Sequence, residues 1–407
     1  MTRKAACRIL FVSFKALLDR NSGAALELKT VIEALARDES NSAASVSLNC
    51  YDVGDSYRLD PRIASEMTDS CNVGRFYHFD DNCIRHYIQA CPSMNTMNIG
   101  RQTYDLFLNN ARKVISKFDP TVVIFFGSNE ILPVIQFAKN RGTRVVLYTG
   151  TASYHEDRQP LFDIADEIVA PSDFIRELYE ARFKKNVKVI PTSLPFAPPA
   201  INIEQKVARR ETDFITIINP STDKGGHVAF SIASHMREIR NFFLAVEGRA
   251  THKYWTEHGY DLSAISNLFW APWQSDITRI LSKTSILLIP SLIPEAAGKV
   301  ISEAMALGVP VVGSEIGGIQ QQLAGSGVTV SLKPSLLPNT LTNKYKVHLS
   351  AEDVEDWTSA IAAVLNSEDF YRSLVIKGLE SCDRYKLENI LPSWRSSLGI
   401  EMFDATV

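Results

Sequence analysis

The sequence predicts an α/β protein built from two doubly wound, Rossmann-like domains. Short apolar runs rich in Val, Ile and Phe, among them 122–126, 214–218 and 286–289, alternate with amphipathic helical patterns. Strands that are apolar on both faces belong in parallel sheets covered by helices on each side. The alternation stops once, at 191–199, PTSLPFAPP, where four prolines in nine residues make a stiff extended connector. At 407 residues the chain is long enough for two separate cores.

The totals narrow the class. Apolar residues make up 45% and charged residues 22%, the composition of an ordinary globular protein. A net charge of −3 argues against a nucleic-acid protein, which would carry a basic surface. Cys7, Cys50, Cys71, Cys83, Cys91 and Cys382 are scattered without metal-ligand or disulfide-framework spacing, so reduced thiols in the cytoplasm are expected. The apolar run 9–14 is too short for a signal-peptide core, and no stretch is long enough for a membrane span.

In the first half, 8–13 reads as a buried strand. It is followed by a small-residue loop containing Gly23 and a helix to about residue 36. Such a turn lets backbone approach a phosphate. A second strand is expected at 45–52. Residues 57–97 read as an irregular polar elaboration suited to acceptor specificity. His78, Asp80, Asp81 and His86 lie there, but adjacent acids and unpaired histidines do not converge on a metal. Helix 103–117 precedes strand 122–126, which ends at Gly127-Ser128-Asn129-Glu130. Helix 131–139 leads to strand 145–148 and Thr149-Gly150-Thr151. Strand 168–170, helix 173–183 and strand 187–190 complete the half. Ligands bind at the carboxyl ends of such strands, which directs attention to Asn129, Thr149, Gly150 and His155. A lone loop histidine is most often only solvated, so His155 is not assigned as a base.

In the second half, strand 214–218 runs into Asn219-Pro220-Ser221-Thr222-Asp223-Lys224-Gly225-Gly226 and then a helix. A lysine at a strand-to-helix turn beside glycines can neutralise a diphosphate. The next strand is expected at 243–246, followed by Arg249. Strand 267–270 ends near Trp273, whose indole could stack a base. The densest stretch is 286–318, ILLIPSLIPEAAGKVISEAMALGVPVVGSEIGG. Its strand breaks at Pro290, Ser291 and Pro294, with Glu295 in the loop. A helix from about 298 to 307 carries Val300 and Glu303, and Gly308 ends it. Glu303 lies about one and a half turns into the helix. From there its carboxylate can accept hydrogen bonds from two neighbouring hydroxyls.

The order Pro-Ser, Glu295, seven residues, Glu303-Ala-Met-Ala-x-Gly-x-Pro-Val-Val, then Gly-Gly resembles the donor-site motif of the retaining glycosyltransferases of family 4. The resemblance is strong over 213–318, moderate over 102–195 and weak before that. It implies the GT-B fold, with two Rossmann-like domains facing across a cleft. It places the ribose on Glu303 and the donor sugar on Glu295, Ala296, Ala297 and Gly298. The diphosphate falls to Lys224-Gly225 and, across the cleft, Gly23. Trp273 and Val300 fall at the nucleotide. Three positions depart from the family pattern. Ala297 stands where an aromatic residue is usual, Asn219 where an arginine is usual, and Tyr148-Thr149-Gly150 where a histidine is common.

The expected domains are 1–195 for the acceptor, a linker at 196–210, a donor domain at 211–385, and a last helix within 386–407 crossing back to the first domain. The expected activity is retaining, metal-independent transfer of a sugar from a nucleotide-diphosphate sugar to a glycan, lipid-linked or small-molecule acceptor. Lys224 and Glu295 are the catalytic candidates, and no cofactor is expected. Contact with the inner face of a membrane is left open. A nucleotide-sugar epimerase and a non-catalytic sugar-binding GT-B protein are the rival readings.

Overall fold

The computed structural model describes residues 7–19, 22–38, 40–49, 74–91, 99–337 and 349–400. The chain forms two compact units, one of residues 1–195 with 387–407 and one of residues 196–386.

The first unit holds an eight-stranded sheet in the order β3-β4-β2-β1-β5-β6-β7-β8. Its strands are β1 (Arg8–Val12), β2 (Ser42–Asn49), β3 (Phe76–Asp81), β4 (Ile84–Ala90), β5 (Val122–Phe125), β6 (Arg144–Tyr148), β7 (Glu167–Ala170) and β8 (Lys188–Val189). The ladder is parallel except where β3 returns antiparallel to β4. Strand β5 is buried at every position, as its unbroken apolar run requires. The core gathers Phe11, Leu28, Ile32, Ile124 and Val146, with Tyr148 against Trp394.

The second unit holds a six-stranded sheet, β11-β10-β9-β12-β13-β14, parallel throughout. The strands are β9 (Phe214–Ile218), β10 (Phe243–Val246), β11 (Leu268–Ala271), β12 (Thr284–Ile289), β13 (Val311–Ser314) and β14 (Gly327–Val330). Chain order reverses between β9 and β12, as it does between β1 and β5 in the first unit. Loops at such a switch point part to opposite faces of the sheet and leave a crevice at the carboxyl edge.

Two segments differ from the expectation. Residues 76–90 are not irregular. They form a hairpin whose turn residues Asn82 and Cys83 both have positive φ, 47° and 70°, the sign a tight two-residue hairpin turn needs. Polar residues disguise both strands: β3 is the sheet edge, and β4 buries His86, 2.8 Å from Ser45 Oγ, and Gln89. Asp80 is spent on Arg85 through two hydrogen bonds of 2.7 Å, and Asp81 lies 3.3 Å from Lys29. Among the described residues no group of His, Cys, Asp and Glu gathers as a metal site. The rest of the expected elaboration, 57–73 and 92–97, lies outside the described residues.

The connector is not extended throughout. Helix Ile203–Ala208, capped by Asn202 through Gln205 N at 3.0 Å, occupies its second half and belongs to the second unit. Past residue 386 the helix Leu387–Leu398 belongs to the first unit. It buries Ile390, Trp394 and Leu398 in that core, and Arg144 Nε donates to Ser397 O at 2.9 Å. No described helix is long and apolar enough to cross a membrane.

Candidate functional site

The second unit assembles its site at the switch between β9 and β12. Strand β9 ends in Asn219, and the loop runs through Lys224 to Gly225, where φ is +72° and helix Gly226–His235 begins. A Cβ on Gly225 would stand 1.9 Å from Pro290 O, so only glycine lets this turn lie against the end of β12. Leu292 N donates to Asp223 O at 2.9 Å and joins the two loops. Gly317, with φ of +61°, brings the loop after β13 equally close. A Cβ there would meet Glu295 N at 2.6 Å, and Gly318 N donates to Glu295 O at 2.8 Å.

These contacts set the charges. Lys224 Nζ forms a close ion pair with Glu295 Oε1, and Ser291 Oγ donates to the same oxygen at 2.5 Å. Helix Lys299–Ala306 starts at Gly298 beside this pair. Gln322 clasps Gly298 in both directions. Its Oε1 accepts from Gly298 N and its Nε2 donates to Gly298 O, each at 2.9 Å. Glu303 is buried within that helix at 9% exposure, and Val300 is half-buried. His227 sits one residue past Gly226 and is 1% exposed, and burial pushes its pKa down to about 4.

The structure therefore brings together Lys224, Gly225, Glu295, Ala296, Ala297 and Gly298, with Glu303 on the helix that follows. Trp273 is half-buried on the loop after β11, two strands from β9. Asn219 has φ of +55°. Its Oδ1 accepts from Arg249 N at 2.7 Å, so this side chain holds the neighbouring loop. Ser291 and Gln322 were missed as site residues. Ser291 stood in the motif as a strand breaker, and nothing local marks Gln322, which arrives from a later helix.

In the first unit the loops after β1, β5 and β6 meet. Gly23 opens helix Gly23–Ala36, exposed, with room for a Cβ. Gly150 packs against that helix start, since a Cβ on it would come within 2.9 Å of Ala24 Cβ. Thr149 is turned inward, its Oγ1 donating to Val169 O at 3.0 Å. Asn129 Nδ2 donates to Asp157 O at 2.6 Å, and Gly127 N to Tyr154 Oη at 3.1 Å, which ties the loop after β5 to that after β6. His155 is exposed. The loop that carries it is braced by Tyr179, whose hydroxyl accepts from Tyr154 N at 3.1 Å and donates to Thr151 O at close range.

Residues 201–380 match the family model described as glycosyl transferases group 1. Among curated proteins no sequence matches the chain. Solved structures match nearly end to end. HepE of Anabaena, in complex with UDP-glucose, superposes with a TM-score of 0.67 at 11% identity, covering 96% of this chain and 99% of that one. Sucrose-phosphate synthase of Thermosynechococcus elongatus gives 0.66 at 17% identity, with 96% and 98% covered. WaaG, a glycosyltransferase involved in lipopolysaccharide biosynthesis, gives 0.61 at 12% identity, with 97% and 100% covered. At these identities the likeness carries the fold, which is GT-B, and the family match carries the activity. The chain thus holds a glycosyl transferases group 1 domain on a GT-B fold and is a glycosyltransferase.

Proposed function

We propose that the chain transfers a sugar from a nucleotide-diphosphate sugar with retention at the anomeric carbon and without a metal ion. The observation that carries this is the Lys224–Glu295 pair at the β9/β12 switch point, with Gly298 starting a helix beside it and Glu303 buried within that helix. Glu303 would hold the ribose, with Val300 and Trp273 toward the base. Lys224 and Gly225 would face the diphosphate. Glu295 with Ala296, Ala297 and Gly298 would hold the sugar. Gly23, Asn129, Thr149, Gly150 and His155 are the proposed phosphate- and acceptor-side residues of the first unit. HepE was crystallised with UDP-glucose, which makes uridine diphosphates the first donors to try here.

In this reading the bond from the anomeric carbon to the phosphate oxygen breaks as the acceptor oxygen bonds on the same face. The acceptor proton passes to the departing phosphate oxygen. Lys224 stabilises the charge that gathers there, and a group placed in advance does so without reorganisation. The acceptor is a glycan, a lipid-linked sugar or a small molecule. A cytoplasmic location suits the free thiols Cys7, Cys83, Cys91 and Cys382.

The test is a thermal-shift panel of UDP, GDP, ADP and TDP, with Glu303→Ala beside the wild type. A ligand at a hundred times its Kd adds about 2.7 kcal/mol of stability. One nucleotide should raise Tm, and the rise should vanish in the variant. Turnover should persist in a chelator, and the product should keep the donor's anomeric configuration. An unshifted panel, or an inverted product, would sink the proposal.

A further inference from the structure

Gly298 opens the helix Lys299–Ala306 with no side chain to cap it. A helix start usually draws on a Ser, Thr, Asp or Asn oxygen at that position. Here the groups that fix it come from 24 positions away. The Gln322 amide holds both Gly298 N and Gly298 O at 2.9 Å, and Gly298 O also receives Ile301 N at 2.9 Å. Gln322 is 6% exposed, so little water competes for these bonds. Its backbone holds the other end of the same segment. Gln322 N donates to Gly318 O at 2.9 Å, and Gly318 N donates to Glu295 O at 2.8 Å. One residue thus grips 295–298 at both ends, directly at Gly298 and through Gly318 at Glu295.

The Gln322 carbonyl is tied elsewhere. It lies in the last turn of helix Ile319–Leu323, which Ala324 ends with φ of +48°. Carbonyls there have no partner within the helix. Gln322 O accepts instead from Arg384 Nη2 at 2.5 Å and from Tyr385 Oη at 3.3 Å. The Arg384 guanidinium also lies over the Tyr385 ring, 4.8 Å from its centroid, so the two donors hold each other in place. They close the turn Cys382–Tyr385, and the chain leaves the second unit one residue later, at Lys386. The helix that follows, Leu387–Leu398, is anchored in the first unit's core by Ile390, Trp394 and Leu398. A continuous run of hydrogen bonds therefore leads from this exit to Glu295 and Gly298, and every branch of it passes through Gln322.

We propose that Gln322 is a positioning residue that couples the chain's exit from the second unit to the 295–298 segment. Arg384 and Tyr385 form the remote end. A shift at 384–386 moves Gln322, and Gln322 moves Gly298. The bearing of this coupling on sugar transfer rests on the donor reading above, whereas the coupling itself does not.

The experiment is amide hydrogen exchange on the full chain without ligand, in wild type, Gln322→Met, the double variant Arg384→Met with Tyr385→Phe, and all three substitutions together. Peptides over 295–303 report the segment, and peptides over β9 and β10 are the control. Gln322→Met keeps the length and loses the amide. One lost hydrogen bond of ordinary strength predicts about 10-fold faster exchange at 295–303. The remote double variant should speed the same peptides by a smaller factor, although its lost bonds end at Gln322. Its effect should shrink once Gln322→Met has cut the link. In parallel, Gln322→Met should weaken UDP-glucose more than UDP, and likewise GDP-mannose more than GDP, whichever pair the wild type binds. A remote variant that leaves 295–303 at the wild-type rate overturns the inference. So does a remote effect of full size in the Gln322→Met background, or faster exchange across β9 and β10 as well, which marks a merely structural role. A wild type that binds no nucleotide or nucleotide sugar sinks the donor reading, while the exchange rates still decide the coupling.

Discussion

Replacing Gly225 with alanine tests the seam on which the proposed donor site is built. The perturbation is one methyl group. It would lie 1.9 Å from Pro290 O and 2.8 Å from Pro290 C, so the loops after β9 and β12 must separate by about 1 Å. The clash is with backbone, which cannot rotate aside. A left-handed backbone, φ +72°, adds roughly 1–2 kcal/mol for any residue with a Cβ. Overpacking of this kind costs about 1–3 kcal/mol. The sum, about 2–5 kcal/mol, is a large part of a typical folding free energy. Separation also stretches the Leu292 N to Asp223 O bond and pulls Lys224 from Glu295. The assay is urea unfolding followed by tryptophan fluorescence, together with nucleotide affinity. Trp255, Trp270, Trp273 and Trp357 lie in the second unit and only Trp394 in the first, so the signal reports mainly the unit under test. An unfolding midpoint and a nucleotide affinity both equal to wild type would refute the close seam and the shared site built on it.

Other outcomes follow from the same structure. Gly23→Ala meets no atom within 4 Å, so melting should not fall. If ligand phosphate approaches this backbone, turnover should still drop, and unchanged turnover would remove Gly23 from the site. His227 has a folded pKa of about 4 against an ordinary 6.5. Between those values the unfolded chain holds a proton that the folded one does not. Its contribution is therefore complete above pH 6.5 and is lost as pH falls, by about 2 kcal/mol at pH 5. Urea midpoints at pH 7.5 and pH 5 measure the loss. His227→Gln should flatten that part of the profile, and an unaltered pH dependence would count against a buried neutral imidazole.

The sequence alone determined the strand–helix alternation, the two-domain division and the loop and helix that carry Glu295 and Glu303. Each depends on local pattern. A strand buried on both faces must be apolar along its length, as 122–125 and 284–289 are. A turn needing positive φ selects glycine, as at Gly225 and Gly317. The tertiary structure decided what comes from distant segments. Residues 76–90 became a hairpin whose outer strand β3 is the sheet edge, while its inner strand β4 buries polar His86, held 2.8 Å from Ser45 Oγ, and Gln89. Tertiary packing turned Thr149 inward to Val169, brought Gln322 to Gly298 across 24 positions, and gave Asn219 to the backbone of Arg249. No local rule encodes these pairings, because each depends on which strands lie side by side. The pairing of β9 with β12 is the fact that turns a scattered lysine and glutamate into neighbours on one edge.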